Sequence, residues 1–183
     1  MNFNNIKKVY IIAEIGINHE GDFDSCKYMI SMAKKAGADA VLVVDAPHEL
    51  KEENELRDAL NDNGLSLIKL AAPTTDQKRL EDIVKIASGF IYQVNVSGVT
   101  GVKSANETDV ANFVKRIKSL TKIPVCSGFG IKSPEDAKKV ANSGCNGVIV
   151  GSTFVKYIQD NMNAPDLTQS FGKQVQSFSE VLK

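Results

Sequence analysis

The chain lacks net charge: 22 lysines and arginines balance 22 aspartates and glutamates. Without a dominant sign, its surface gives no electrostatic reason to bind nucleic acid or an anionic membrane, and neither is expected as a partner. No apolar run approaches the roughly 20 residues a membrane-spanning helix needs. The opening Met1-Asn-Phe-Asn-Asn-Ile-Lys-Lys8 has no apolar stretch of the secretion-signal kind. Cysteine is scarce: Cys26, Cys126 and Cys145 are odd in number and far apart. That spacing suits free thiols in a reducing, cytoplasmic setting, with no disulfide framework and no metal-ligand motif. His19 and His48 are the only histidines, and neither a metal nor a cofactor is expected. There is no GxGxxG after the first apolar run and no Walker lysine motif, which weighs against dinucleotide and P-loop folds. Hairpin signals between the apolar segments are missing as well.

What is present is ordinary for a globular protein. The 183 residues, 43% hydrophobic and 24% charged, are enough for one domain with a substantial core, and a single domain over 1–183 is expected. Apolar β-branched runs alternate with segments of helical periodicity. Strands are predicted at Val9–Ile15, Ala40–Val44, Leu65–Ala72, Phe90–Val96, Pro124–Ser127 and Gly147–Val150. Ala40–Val44 is continuous and apolar, the pattern of a strand buried on both faces. Helices are predicted at Ser25–Ala36, Leu50–Asn63, Gln77–Ala87, Glu107–Leu120, from Ser133 to Asn142, at Phe154–Gln159 and at Val175–Leu182. Asp22 or Asp24 reads as the cap of the first helix. Ser133-Pro134 is a strong helix start, an N-cap serine followed by proline at the first helical position. Six βα repeats without hairpins imply parallel strands joined by crossover helices, as an open α/β sheet or a barrel.

Three glycine-bearing turns carry the clearest chemical signal. Gly98-Val-Thr-Gly101, Gly128-Phe-Gly130 and Gly151-Ser152 each follow a predicted strand and approach a helix. That geometry presents backbone N–H groups to an anion. The last two turns stand where a barrel enzyme builds a phosphate site, after its final strands. Taken singly, each glycine reads equally as a tight βα turn.

From about Gly37 to Asp160 the chain resembles the tryptophan synthase α subunit family. The resemblance rests on Ala36-Gly-Ala-Asp-Ala-Val-Leu-Val-Val-Asp45-Ala-Pro47, Leu70-Ala-Ala-Pro-Thr-Thr75, Ser88-Gly-Phe-Ile-Tyr92, Val96-Ser-Gly-Val-Thr-Gly101, Gly128-Phe-Gly-Ile131 and Val150-Gly-Ser152. It implies a TIM-barrel fold, with residues 161–183 as a C-terminal helical segment. It also implies a retro-aldol lyase that cleaves indole-3-glycerol phosphate to indole and glyceraldehyde 3-phosphate in tryptophan biosynthesis, beside a β subunit. Residues 1–36 resemble a different family. Ile12-Ala-Glu14-Ile-Gly16-Ile-Asn18-His19-Glu-Gly21-Asp22 is similar to the opening of the sialic acid synthases. Those enzymes use phosphoenolpyruvate and a metal, but their later metal-binding histidines have no counterpart in these residues. The segment also overlays the α subunit's Glu-Leu-Gly-Ile-Pro strand, which carries a catalytic glutamate.

Under the α-subunit resemblance, Glu14 is the candidate acid–base residue. Gly101, Gly130, Gly151 and Ser152 would hold the phosphate, Tyr92 and Phe129 would flank the substrate, and Asp45 would line the site. The family's second carboxylate motif, Phe-Ser-Asp-Pro-Leu-Ala-Asp-Gly, is absent from the sequence. A six-strand sheet cannot close with the tilt and shear of eight strands, so a shortened or incomplete (β/α)8 barrel is expected. Its unpaired edges would invite a second copy of the chain. A phosphate-binding remnant or interaction module without catalysis is the alternative function.

Overall fold

Each of the six strands is followed by a helix. In chain order they are β1 (Ile12–Glu14), α1 (Phe23–Lys35), β2 (Ala40–Leu42), α2 (Leu50–Asp62), β3 (Ser66–Ala71), α3 (Gln77–Ile86) and β4 (Ile91–Val94). Next come α4 (Glu107–Leu120), β5 (Val125–Gly128), α5 (Pro134–Ala141), β6 (Gly147–Val148), α6 (Ser152–Asp160) and α7 (Leu167–Glu180). This is a computed structural model, describing residues 10–16, 18–44, 50–94, 107–128 and 130–182. The strands are hydrogen-bonded in the order β1-β2-β3-β4-β5-β6. Ile12 lies opposite Ala40, Val41 opposite Leu67 and Cys126 opposite Gly147, all in parallel register. The fold is therefore α/β, six parallel strands flanked by helices, where a closed (β/α)8 barrel has eight. Among the described residues, β1 and β6 each have a strand neighbour on one side only. No described helix is long and apolar enough to cross a membrane.

The contacts divide the chain into two compact units. The first comprises Met1–Ala71, Thr75–Tyr92 and Ile117–Pro124, and the second Ala72–Thr74, Gln93–Arg116 and Val125–Lys183.

In the first unit, Asp22 caps α1 by accepting from the N–H groups of Asp24 and Ser25. The helix therefore begins at Phe23, ahead of the predicted Ser25. Cys26 and Ile30 of α1 and Leu56 and Leu60 of α2 pack with Val41, Val43, Leu65 and Leu67 from the β2 and β3 segments. All three β2 residues are buried, as its continuous apolar run predicts. Gly89 turns the chain into β4 at φ +80°, where a Cβ would stand 2.9 Å from Ile68 Cδ1 and 3.1 Å from Ser66 Cβ. Only glycine meets both demands there.

In the second unit, Ser133 and Asp136 form a reciprocal capping box on α5, with Pro134 at the helix start. Ile131, Ala137 and Phe178 form a small core with Val140, Val148, Val150 and Phe154 around them. Phe154 stands edge-on to Phe171 at 5.6 Å and to Phe178 at 5.0 Å. These aromatic contacts account for a difference from expectation. α7 begins at Leu167, not Val175, because its polar first turns present Phe171 to Phe154 and Tyr157. Local periodicity did not reveal that long-range packing.

Candidate functional site

The candidate residues divide between the two units. In the first, Glu14 is the last residue of β1 and is exposed. Its neighbours Ala13 and Ile15 pack into the core with α1 and α2. Side chains alternate along a strand, so Glu14 leaves the sheet on the face away from those helices. Ile15 N–H donates to the Leu42 carbonyl at 3.0 Å, and Asn18 Nδ2 donates to the Ile15 carbonyl at 2.7 Å. The strand end that carries the carboxylate is thus tied on both sides. Tyr92, on β4, is half-buried. Burial and then the Glu14 carboxylate push its phenol above the ordinary value of 10.0. The phenol therefore keeps its proton at neutral pH. His19 is buried, its Nδ1 accepting from Gly21 N–H at 3.2 Å. Asp45 and His48 lie outside the described residues.

The same unit holds an ion cluster that the sequence reading missed. Glu53 on α2 is fully buried, with Oε1 2.9 Å from Lys69 Nζ and 2.6 Å from Arg79 Nη2. Burial alone would raise the Glu53 carboxyl, but Arg79 and Lys69 outweigh it and hold the pKa below its ordinary value. Burial lowers Lys69, and Glu53 offsets part of that loss. Lys69 lies two residues from Leu67, so the cluster occupies the helix-facing side of β3, opposite in sense to Glu14. It braces α2 and α3 against the strand.

In the second unit the glycine turns after β5 and β6 are brought together. These strands are paired, with Ile149 N–H donating to the Ser127 carbonyl at 2.9 Å. Beyond their ends, Thr153 Oγ1 donates to the Ile131 carbonyl at 2.6 Å. The bond joins the residue after Gly130 to the residue after Ser152. Gly130 has φ +53°, and a Cβ at either Gly130 or Gly151 would meet nothing within 4 Å. Packing therefore does not require glycine at Gly151; the space above it is open. Gly151 is the N-cap of α6, and no side chain caps that helix. Its carbonyl accepts from Phe154 N–H at 2.9 Å and Val155 N–H at 3.1 Å. A helix N-terminus of this kind favours an anion through its aligned N–H groups. Gly101 and Phe129 lie outside the described residues.

Thr153 is the residue that sequence reading missed here; it sits next to Ser152 but carries no motif of its own. Behind the turns, Ser127 Oγ donates to Gln93 Oε1 at 2.7 Å, both side chains buried, and this bond cross-links β4 and β5. A separate cleft of about 260 Å³ is lined by Pro73, Asp109, Asn112, Phe113 and Arg116 and includes none of the candidates. Among the described residues, no three His, Cys, Asp or Glu side chains stand together as a metal donor set.

The family model for the tryptophan synthase alpha chain matches residues 21–182. It begins well ahead of Gly37, where the sequence resemblance was drawn, and takes in α1 and its cap. The alpha chain of Caulobacter vibrioides (strain NA1000 / CB15N) is 47% identical over 129 residues, 70% of this chain and 46% of the relative. That of Carboxydothermus hydrogenoformans is 43% identical over 153 residues, 81% of this chain and 56% of the relative. The chain thus spans about half the length of the curated relatives it matches. The crystal structure of the alpha subunit from Legionella pneumophila str. Paris superposes with a TM-score of 0.80 at 27% identity. The superposition covers 98% of this chain and 64% of that one.

Proposed function

From its membership of the tryptophan synthase alpha chain family, to which this chain belongs, we propose that it acts as a carbon–carbon lyase on indole-3-glycerol phosphate. The observation that carries this reading is the pair of glycine turns after β5 and β6, pinned by the Thr153–Ile131 bond beside the uncapped start of α6. A phosphate held by Gly130, Gly151 and Ser152, with Gly101 contributing from its own turn, would anchor the substrate. Binding energy from that remote group positions the reacting bond.

The retro-aldol step needs two proton movements. Indole C3 gains a proton, and the adjacent glycerol hydroxyl loses one. The oxygen's electron pair then forms the aldehyde carbonyl as the carbon–carbon bond to indole breaks. The products are indole and glyceraldehyde 3-phosphate, and no redox partner is required. Glu14 is assigned the acid–base role, with Tyr92, Phe129 and Asp45 lining the indole and glycerol portions. Its exposed place at the end of β1, on the face away from α1 and α2, supports that assignment. A second carboxylate is not supplied by the family motif within these residues, so a β subunit, or further alpha-chain sequence, is part of the proposal.

The test is indole release from indole-3-glycerol phosphate with and without a β subunit, alongside a thermal melt. Indole above background that falls at least a hundredfold in Glu14→Gln supports the lyase and its base. A full rate in Glu14→Gln overturns that residue's role. Stabilisation by inorganic phosphate without indole from a folded sample favours the second reading, a phosphate-binding module. The sialic acid synthase resemblance of Ile12–Asp22 makes a third arm: it requires turnover of phosphoenolpyruvate dependent on a divalent metal.

A further inference from the structure

We propose that Ser127 and Gln93 are positioning residues for the glycine turns, and that their hydrogen bond holds the ends of β4 and β5 in the offset a bound phosphate requires. Ser127 is tied on both sides. Its Oγ donates to Gln93 Oε1 on β4 at 2.7 Å. Its carbonyl accepts from Ile149 N–H, just past β6, at 2.9 Å. One residue therefore links the three strands that run, in sequence, into Gly98–Gly101, Gly128–Gly130 and Gly151–Ser152. The Thr153–Ile131 bond joins the last two turns themselves, and the Ser127 bonds fix the strands beneath them. Buried and half-buried residues alternate along β4, so Gln93 leaves the sheet on the face opposite Tyr92. The pair thus stands behind the position assigned to the substrate and acts through the turns, not by contact with the reacting atoms.

The chemistry of the pair points beyond stability. Gln93 is 2% exposed and Ser127 1%, while Ile91 and Val125, two residues back along each strand, are wholly buried. Two apolar side chains of similar shape would stabilise this layer about as well, because a neutral buried hydrogen bond gains little net over the water it gives up. What an apolar pair lacks is direction. A short O–H···O bond tolerates only a narrow range of distance and angle, so it sets where β5 stands along β4. Backbone N–H groups hold an anion only when several lie within hydrogen-bond reach of it together, and a slip between the strands would separate them. Both side chains are neutral, so the bond does this without placing a charge beside the anion. The inference rests on the phosphate reading of the turns, and its test separates the two.

The experiment compares the native chain with Ser127→Ala, Ser127→Thr and the double variant Gln93→Leu with Ser127→Val. Calorimetric titration with inorganic phosphate gives the affinity, thermal melts give the stability, and amide exchange at Ile149 reads the bond to Ser127. Ser127→Ala leaves Gln93 Oε1 buried without its donor and lowers the melt, whereas the double variant removes both partners and melts close to the native chain. Phosphate affinity is expected to fall about fivefold or more in both, and to stay within about twofold in Ser127→Thr, which keeps the hydroxyl. A merely structural role would follow the melt and spare the double variant. Native affinity in the folded double variant overturns the proposal. If that variant does not fold, native affinity in Ser127→Ala, titrated below its own midpoint, overturns it equally. A native chain that binds no phosphate defeats the phosphate reading instead, and amide exchange then decides whether the pair fixes the strand ends. Ile149 should exchange about fivefold faster or more without the Ser127 hydroxyl, and an unchanged rate overturns that role as well.

Discussion

β2 and β6 are both short parallel strands with a glycine turn close by, yet they belong to different environments. β2 has a neighbour on each side, and all three of its residues are buried. Behind it, α1 and α2 contribute Ile30, Leu56 and Leu60, each at most 1% exposed. Among the described residues β6 has one strand neighbour, and the helix that follows it buries nothing completely. The contrast separates what stabilises the chain from what remains available for contact. Interior strands gain from burial on two faces, about 25 cal/mol for each Å² of apolar surface removed from water. An edge strand gains from one side only and leaves its other hydrogen-bonding groups for a partner.

The sharpest way to break the contrast is at Glu53. Glu53→Leu leaves Lys69 buried without its carboxylate and should cost about 3–5 kcal/mol in urea unfolding. Val155→Ser on the exposed face of α6 should stay within about 0.5 kcal/mol. Equal losses would mean that the two regions are not differently packed. The cluster also sets a pH dependence. The folded Glu53 carboxyl lies below its ordinary 4.5, so its contribution is present above that value and lost as pH falls through the folded pKa. The folded Lys69 amine lies below its ordinary 10.5, so stability rises with pH between its folded pKa and 10.5. Unfolding midpoints measured across the acid range should show the Glu53 slope in the native chain and a shallower one in Glu53→Gln.

Two glycines sharpen the comparison at smaller cost. Gly89→Ala forces a Cβ into φ +80° and against Ile68, so a loss of about 1–3 kcal/mol is expected. Gly151→Ala meets open space and should leave the melt unchanged while removing stabilisation by inorganic phosphate. If Gly151→Ala instead loses stability as Gly89→Ala does, that turn is a packing device and the anion reading of it fails. Gly130 would not discriminate, because its φ of +53° strains any side chain.

The sequence reading reached furthest where local rules decide. α4 has the predicted bounds, α5 starts on its Ser133-Pro134 signal, and β2 is buried as its unbroken apolar run requires. It stopped where distant residues decide. Lys69 in the predicted strand Leu65–Ala72 gave no hint that Glu53 and Arg79, from two different helices, would gather beside it. The early start of α7 depends on Phe154, a residue of another helix. In the candidate site the glycine turns were legible because strand–glycine–helix is a local pattern. The Thr153 bond that joins two of them was not, since its acceptor lies 22 residues away. Tyr92 stood out only through the family motif, and the Glu14 carboxylate that adds to its burial-driven shift belongs to another strand.

The smallest effect compares interior with edge through thiol chemistry. Cys26 lies in the first unit's core, and Cys126 lies on β5 opposite Gly147 of the edge strand. Both are buried in the folded chain. Burial first, and then the nearby Cys145 thiolate, pushes the Cys126 thiol up to about 12. At pH 8 Cys126 is therefore almost wholly protonated, and alkylation waits for β5–β6 to open. Cys145 is half-buried and should react first with iodoacetamide under native conditions. Cys126 should follow, and Cys26 should come last, because freeing it requires loss of the packing by α1 and α2. The ratio of the Cys126 and Cys26 rates in peptide mass mapping then measures how much more readily the edge opens than the interior. Equal rates for these two would mean that β6 unfolds only with the whole chain, and that its single neighbour and α5 already hold it as firmly as β2 is held.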